Sequence, residues 1–270
     1  KSVTIGNLTD AYNKAAKGNG FLEEFAIDQD TVELIRKYGD VCDDLHTDLH
    51  ECLGHGSGQL LTGVSPDALK SYGSTIEEAR ADLFGLYYIA DEKLVELQLT
   101  PDMEAYKSQY YSYIMNGLMT QLVRISPGNK IEEAHMRNRA LIAPWCLDNG
   151  DAIALVKRDG KTCVQINDYE ELRRQFATLL AEIQRIKSEG DYEAARNLVE
   201  TYAVNIDANL HTEVLERYKR LNIAPYKGFL NPRMIPVLNA LGDVIDINLD
   251  YSESYDEQML RYSRQYGTLV

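Results

Sequence analysis

Leu49-His50-Glu51-Cys52-Leu53-Gly54-His55 is the stretch on which the reading of this 270-residue chain turns. Two histidines stand five residues apart with a glutamate directly after the first, and a run downstream, Glu77-Glu78-Ala79-Arg80-Ala81-Asp82, is dense in carboxylates. Zinc that catalyses hydrolysis takes three protein ligands, often two histidines and a glutamate, and keeps a fourth position open for water. Its charge lowers the pKa of that water to about 7, and a carboxylate that does not touch the metal takes up the proton. In the HExxH form the two histidines are one helical turn apart and share a face. Here the spacing is HExxxH. Residues five apart on a regular helix point about 140° apart, so both rings meet one metal only where the helix is widened by a residue, as in a π-bulge. Gly54 is the residue expected to permit that distortion. The motif therefore assigns His50 and His55 as ligands and Glu51 as general base. His46, four residues before His50 and on the same face, is a competing ligand, a reading under which Glu51 and His55 lose their roles.

The third ligand is expected from a second helix. Ser74-Thr75-Ile76-Glu77 has the form of a capping box, which predicts a helix from Ser74 to about Leu97. Glu78 and Asp82 then lie one turn apart on one face, with Glu77 adjacent. One of the three reaches the metal while the others accept the free ring N–H groups of the histidines.

HECLGH followed by EEARAD resembles the paired HExxGH and EExxA(D/E) signatures of the dipeptidyl peptidase III family, zinc exopeptidases that release dipeptides from the N-termini of short peptides. The resemblance implies one zinc per chain held by His50, His55 and Glu78, with Glu51 as base and Glu77 and Asp82 as partners of the histidine rings. Further along, Glu132-Glu133-Ala134-His135-Met136-Arg137-Asn138-Arg139 matches a family helix that carries His-Met and an arginine four residues after the histidine. By that likeness His135 contributes to the substrate cleft, where a preorganised donor steadies the oxyanion formed at the peptide carbonyl. Arg139 is expected to orient substrate or a neighbouring carboxylate. The stretch Tyr226 to Arg233 resembles an aromatic-rich segment ending in Pro-Arg near the cleft, so Arg233 is expected to meet a peptide carboxylate, with an ordinary ion pair as the alternative.

The resemblance extends over most of the chain but corresponds to the C-terminal, zinc-bearing part of the family's proteins. Their long N-terminal portion, a lobe that faces the zinc across a cleft and holds the substrate's amino end, has no counterpart here. The partners implied are an oligopeptide substrate and that missing N-terminal lobe. The isolated chain is expected to bind zinc and cleave weakly, because positioning accounts for many orders of magnitude in rate. The runner-up reading, a non-catalytic zinc-stabilised interaction domain, is opposed by Glu51, since a structural site needs no base.

Composition narrows the rest. At 44% hydrophobic and 26% charged residues the chain can bury a sizeable core, and residues 1–270 are read as one helical catalytic domain. A net charge of −14 argues against nucleic-acid partners, which need a basic surface. Cys42, Cys52, Cys146 and Cys163 form no CxxC pair and read as reduced, mostly buried thiols. Cys52, nearly opposite His50 on the helix, is not counted as a ligand. No apolar run is long enough for a membrane, and no signal peptide opens at Lys1. With the resemblance, the unpaired cysteines suggest a cytoplasmic location.

The fold class is mainly α, a multi-helix zinc metallopeptidase domain with minor β structure. Helices are expected over Leu8–Lys17 and Phe21–Lys37, the latter ended by Gly39, and a motif helix over Val41–Gly54. A helix from about Asp102 to Val123 carries Tyr106, Tyr110, Tyr111 and Tyr113, read as packing residues. Ala152–Val156 and Thr162–Ile166 alternate around Asp159-Gly160, a hairpin signal. Asp168 caps a helix to about Lys187, and others run from Asp191 through Val204 and from Ala208 to Leu221. His211 and Glu213 are read as surface residues. After an irregular, then apolar segment from Ala224 to Leu238, Val244–Leu249 reads as a short strand and Ser254–Tyr266 as the last helix.

Overall fold

A computed structural model describes residues 18–223 and 231–267. The helix expected over Leu8–Lys17 and the segment 224–230 lie outside the described residues. Contacts divide the chain into two units, one of which is Gly20–Asn222. Residues 231–267 of the other unit hold the last two strands and the last helix.

In the larger unit an apolar stripe decides the first long helix. Val32, Tyr38, Cys42 and Leu45 are buried along one face of α2 (Gln29–Leu49), which follows the short α1 (Phe21–Phe25). The stripe continues across Gly39, so the helix does not stop there as the sequence predicts: a mid-helix glycine costs about 1 kcal/mol, less than the burial on either side returns. Asp28 caps the start through Thr31 N, which separates α1 from α2 where one helix is expected. At its far end α2 passes without a break into a π-helical turn, His50–His55.

The helix at the centre of this unit is α3 (Gly73–Tyr88), buried on nearly every side by packing against α2, the π turn, α6 (Ala134–Asp148) and α7 (Tyr169–Glu189). It lacks an amphipathic pattern for that reason. The capping box expected at Ser74 does not form. The helix begins one residue earlier, without a side-chain cap, and the Glu77 carboxylate is engaged elsewhere. The helix also ends at Tyr88, and a separate short α4 (Glu92–Glu96), capped by Asp91, occupies the remainder of the span predicted to reach Leu97.

Tyr110, Tyr111 and Tyr113 of α5 (Tyr106–Leu118) are buried as expected, and each hydroxyl finds a partner: Leu86 O, Val164 O and the Asp82 carboxylate. The hairpin β1 (Ile153–Arg158) and β2 (Lys161–Ile166) pairs antiparallel from Ile153↔Ile166 to Arg158↔Lys161. Asp159 and Gly160 both take positive φ at its turn, the two-residue geometry that Asp-Gly favours. Helices α8 (Tyr192–Tyr202) and α9 (Ala208–Leu221) complete the unit.

Two residues read as surface groups are structural. His211 is buried, with Nε2 bridging the carbonyls of Leu122 and Ile125 at 3.1 and 3.0 Å. Glu213 accepts from Thr162 N, Thr162 Oγ1 and Lys157 Nζ at 2.6 to 2.7 Å. Beside it the fully buried Arg217 donates to Glu24 and to the Thr162 carbonyl. In the second unit, β3 (Arg233–Leu238) pairs antiparallel with β4 (Val244–Asp250), so the apolar run before Leu238 is a strand, and α10 (Tyr255–Tyr266) carries a capping box at Ser254. Among the described residues no helix is long and apolar enough to cross a membrane.

Candidate metal centre

The π-helical turn does what the five-residue spacing requires. By adding a residue to the turn it brings the rings of His50 and His55 together, with centroids 4.6 Å apart and Nε2 atoms 3.0 Å apart. Gly54 is needed here, though for a different reason than backbone freedom. A Cβ on Gly54 would lie 2.6 Å from Ala81 Cα and 2.7 Å from Ala81 Cβ, so its absence lets the π turn press against α3.

That contact sets the third donor. Glu78 Oε2 lies 3.3 Å from His50 Nε2 and 3.7 Å from His55 Nε2. Zinc ligands at about 2.0–2.2 Å in a tetrahedral array stand about 3.3–3.6 Å from one another, and the three donors are 3.0, 3.3 and 3.7 Å apart. The donor chemistry fits as well. Glu78 Oε2 is buried with no hydrogen-bond partner, a state that is costly for a carboxylate unless a cation faces it.

The outward-facing ring nitrogens are tied back to carboxylates. His50 Nδ1 donates to Asp82 Oδ1 at 2.6 Å, and His55 Nδ1 donates to Glu77 Oε1 at 2.9 Å. Each bond leaves the Nε2 lone pair free for a metal. Burial lowers the His50 pKa, but the Asp82 and Glu78 carboxylates outweigh it and push it up to about 10. Burial raises the Glu78 carboxyl, and His50 and His135 bring it below its ordinary value.

Behind His55 lies a second layer. The fully buried Arg80 donates through Nε and Nη2 to Glu77 at 3.0 and 2.8 Å, and through Nη2 to the Gly54 carbonyl at 2.6 Å. Its Nη1 reaches Ser57 Oγ and Gln184 Oε1. Lys187 of α7 also binds Glu77. One guanidinium thus clamps the end of the π turn to the carboxylate that orients His55.

The sequence-predicted residues divide as follows. His50, His55, Glu77, Glu78 and Asp82 converge. Glu51 follows His50 on the π turn, half-buried, its carboxylate without a hydrogen-bond partner among the described residues. His135, in the first turn of α6, brings Nε2 to 3.4 Å from Glu78 Oε2 and is held through Nδ1 by Glu133 at 2.7 Å. Arg139 lies one turn on, where its charge acts on Asp43 and Tyr113. Arg233 opens β3 in the second unit, paired across the hairpin with Asp250. Sequence reasoning missed Arg80, Lys187 and Tyr113. Arg80 sits inside the motif run and was legible as a candidate, whereas the Lys187 and Tyr113 contacts span 110 and 31 residues and carry no local signal.

Comparison with known proteins shows the family. The family model described as peptidase family M49 matches residues 1–71 and 66–219. The chain is 26% identical to dipeptidyl peptidase 3 of Mus musculus over 251 residues, covering 77% of this chain and 33% of that protein. Dipeptidyl peptidase 3 of Dictyostelium discoideum is 25% identical over 267 residues, covering 82% and 35%. Among solved structures, dipeptidyl peptidase III from Caldithrix abyssi superposes with a TM-score of 0.63 at 25% identity, covering 82% of this chain and 39% of that one. The chain spans about a third of the length of the curated relatives it matches.

Proposed function

Because the chain belongs to peptidase family M49, we propose that it is the zinc-bearing catalytic portion of a metallopeptidase that releases dipeptides from the N-termini of oligopeptides. The observation that carries this reading is the convergence of His50 Nε2, His55 Nε2 and the unpartnered Glu78 Oε2, with both distal ring nitrogens tied to carboxylates. These three residues would hold one zinc per chain.

Bound zinc supplies a Lewis acid that acidifies water to near neutrality. The remaining work falls to side chains of this chain. Glu51 takes the proton of the attacking water and passes it to the nitrogen of the leaving amine, a general acid–base role worth about 10²–10⁴-fold in rate. With Nε2 protonated, His135 offers a hydrogen bond to the oxygen that gains charge at the scissile carbonyl. Arg139 binds the peptide through a carboxylate or carbonyl group. A structural zinc site would fill its fourth position with another Cys or His and would have no use for the unpaired carboxylate of Glu51.

The test is Glu51→Gln. It keeps one zinc per chain and lowers release of dipeptide from a dipeptidyl-naphthylamide by at least about 10²-fold. Activity is to be compared on this chain and on one extended by the family's N-terminal lobe, where the faster rate is expected. Unchanged hydrolysis in the glutamine variant, or a wild-type chain that binds no zinc, overturns the reading.

A further inference from the structure

Asp82 accepts three hydrogen bonds, and two come from residues outside the predicted ligand set, His46 and Tyr113. Oδ1 receives His50 Nδ1 at 2.6 Å and His46 Nε2 at 3.2 Å, while Oδ2 receives the Tyr113 hydroxyl at 2.7 Å. Among the described residues no lysine or arginine pairs with this carboxylate, which is nearly sealed from solvent. A buried carboxylate without a fixed cation keeps its charge and its orientation through directed donors.

The His46 ring is built into its place. It is buried, leans on the Tyr113 ring with centroids 5.8 Å apart, and lies against Gly85 of α3, where an added Cβ would come within 2.8 Å of His46 Cε1 and Nδ1. Among the described residues His46 Nδ1 is buried and has no hydrogen-bond partner, so the ring's polar contact is made by Nε2, aimed at Asp82. His46, His50 and Asp82 also stand close enough to share a metal of their own. Such a metal would have to replace the 2.6 Å His50–Asp82 bond, and the geometry favours the hydrogen bond.

We infer that His46 is a positioning residue of the metal centre: by donating Nε2–H to Asp82 Oδ1 it fixes the carboxylate that orients His50, and so raises zinc affinity without touching the metal. This rests on the reading of His50 as a zinc ligand. It also gives Gly85 a purpose, since only glycine leaves room for the ring.

The experiment is competition with a chromophoric chelator, giving zinc stoichiometry and dissociation constant for the wild-type chain, His46→Phe and His46→Gln, with the thermal midpoint of each zinc-free protein as the check on folding. Phenylalanine fills the space without a donor and weakens zinc about 10–100-fold. Glutamine presents an amide N–H toward the same carboxylate and stays within about threefold of wild type. His46→Leu replaces the phenylalanine variant if the latter does not fold. Wild-type affinity in a folded phenylalanine or leucine variant overturns the inference alone, as does a glutamine variant as weak as phenylalanine. Two zinc ions per wild-type chain, falling to one in His46→Gln, overturn it by making His46 a ligand. A wild-type chain that binds no zinc removes the proposed function and this inference together.

Discussion

His50 and His55 stand side by side, yet the carboxylates that hold them are kept charged by different means. Burial raises the Glu77 carboxyl, but Arg80, Lys187 and His55 bring it down to about 2. Asp82 is more deeply buried and has no such cations. Against a heavy cost of desolvation, His46, His50 and Tyr113 are its donors among the described residues, and the two histidines hold its carboxyl well below the usual range. The Glu77 side is an ion pair with two fixed cations, Arg80 and Lys187. On the Asp82 side the support comes from hydrogen-bond donors, one of them the predicted ligand His50.

The contrast breaks most visibly at Arg80. Arg80→Met leaves Glu77 with Lys187 as its remaining lysine or arginine partner and takes one of the donors from the Gly54 carbonyl, and should cost about 3–5 kcal/mol in denaturant unfolding of the zinc-free protein. A loss below 1 kcal/mol would put the two sides on an equal footing. Gly54→Ala comes next. The methyl has nowhere to go against Ala81, so about 1–3 kcal/mol of stability is expected to be lost. Weaker zinc binding should accompany it as the π turn is pushed away, and chelator competition reads that part.

Asp82→Asn sharpens the comparison from the other side. It removes a buried charge that no lysine or arginine pairs with among the described residues, so zinc affinity should fall about 10–100-fold while the zinc-free fold changes by less than about 1 kcal/mol. Equal losses in both measurements would mean that Asp82 serves the fold as Glu77 does.

The smallest effect is a pH test on a cation-supported carboxylate away from the metal. Burial raises the Glu213 carboxyl, but Lys157 and Thr162 lower it to about 2. A folded-state pKa depressed below the ordinary 4.5 stabilises the protein fully above about pH 4.5, and that contribution is lost as pH falls toward 2. Glu213→Gln should therefore flatten the stability-versus-pH curve of the zinc-free protein across that window, by about 1 kcal/mol after solvent screening. An unchanged slope would show that this cluster contributes nothing through charge.

Much of this centre was legible before any coordinates, because a metal imposes local rules. Five-residue spacing between His50 and His55 demanded a widened turn, and a π turn is present. Glu77, Glu78 and Asp82, adjacent or one turn apart, had to sort into a donor and ring partners. Asp159-Gly160 called for a tight hairpin, and both residues take positive φ. The misreadings fall where a residue's local preference lost to a distant partner. Ser74 and Glu77 make a good capping box until His55, Arg80 and Lys187 claim the glutamate. Gly39 is a plausible stop until the buried stripe on either side carries the helix through. His211 resembles a surface histidine until two carbonyls of a 3₁₀ turn almost ninety residues earlier bind it.

Residue identities and their spacing were enough to single out His50 and His55, the need for a π turn and the helix that carries the candidate carboxylates, while the choice of Glu78 among Glu77, Glu78 and Asp82 came from the family resemblance. Packing alone decided how that set is held. Ala81 against Gly54, His46 against Gly85, and Arg80, Lys187 and Tyr113 around two carboxylates are contacts made by burying helix against helix, and burial is what turns an ordinary charged side chain into one whose partner matters.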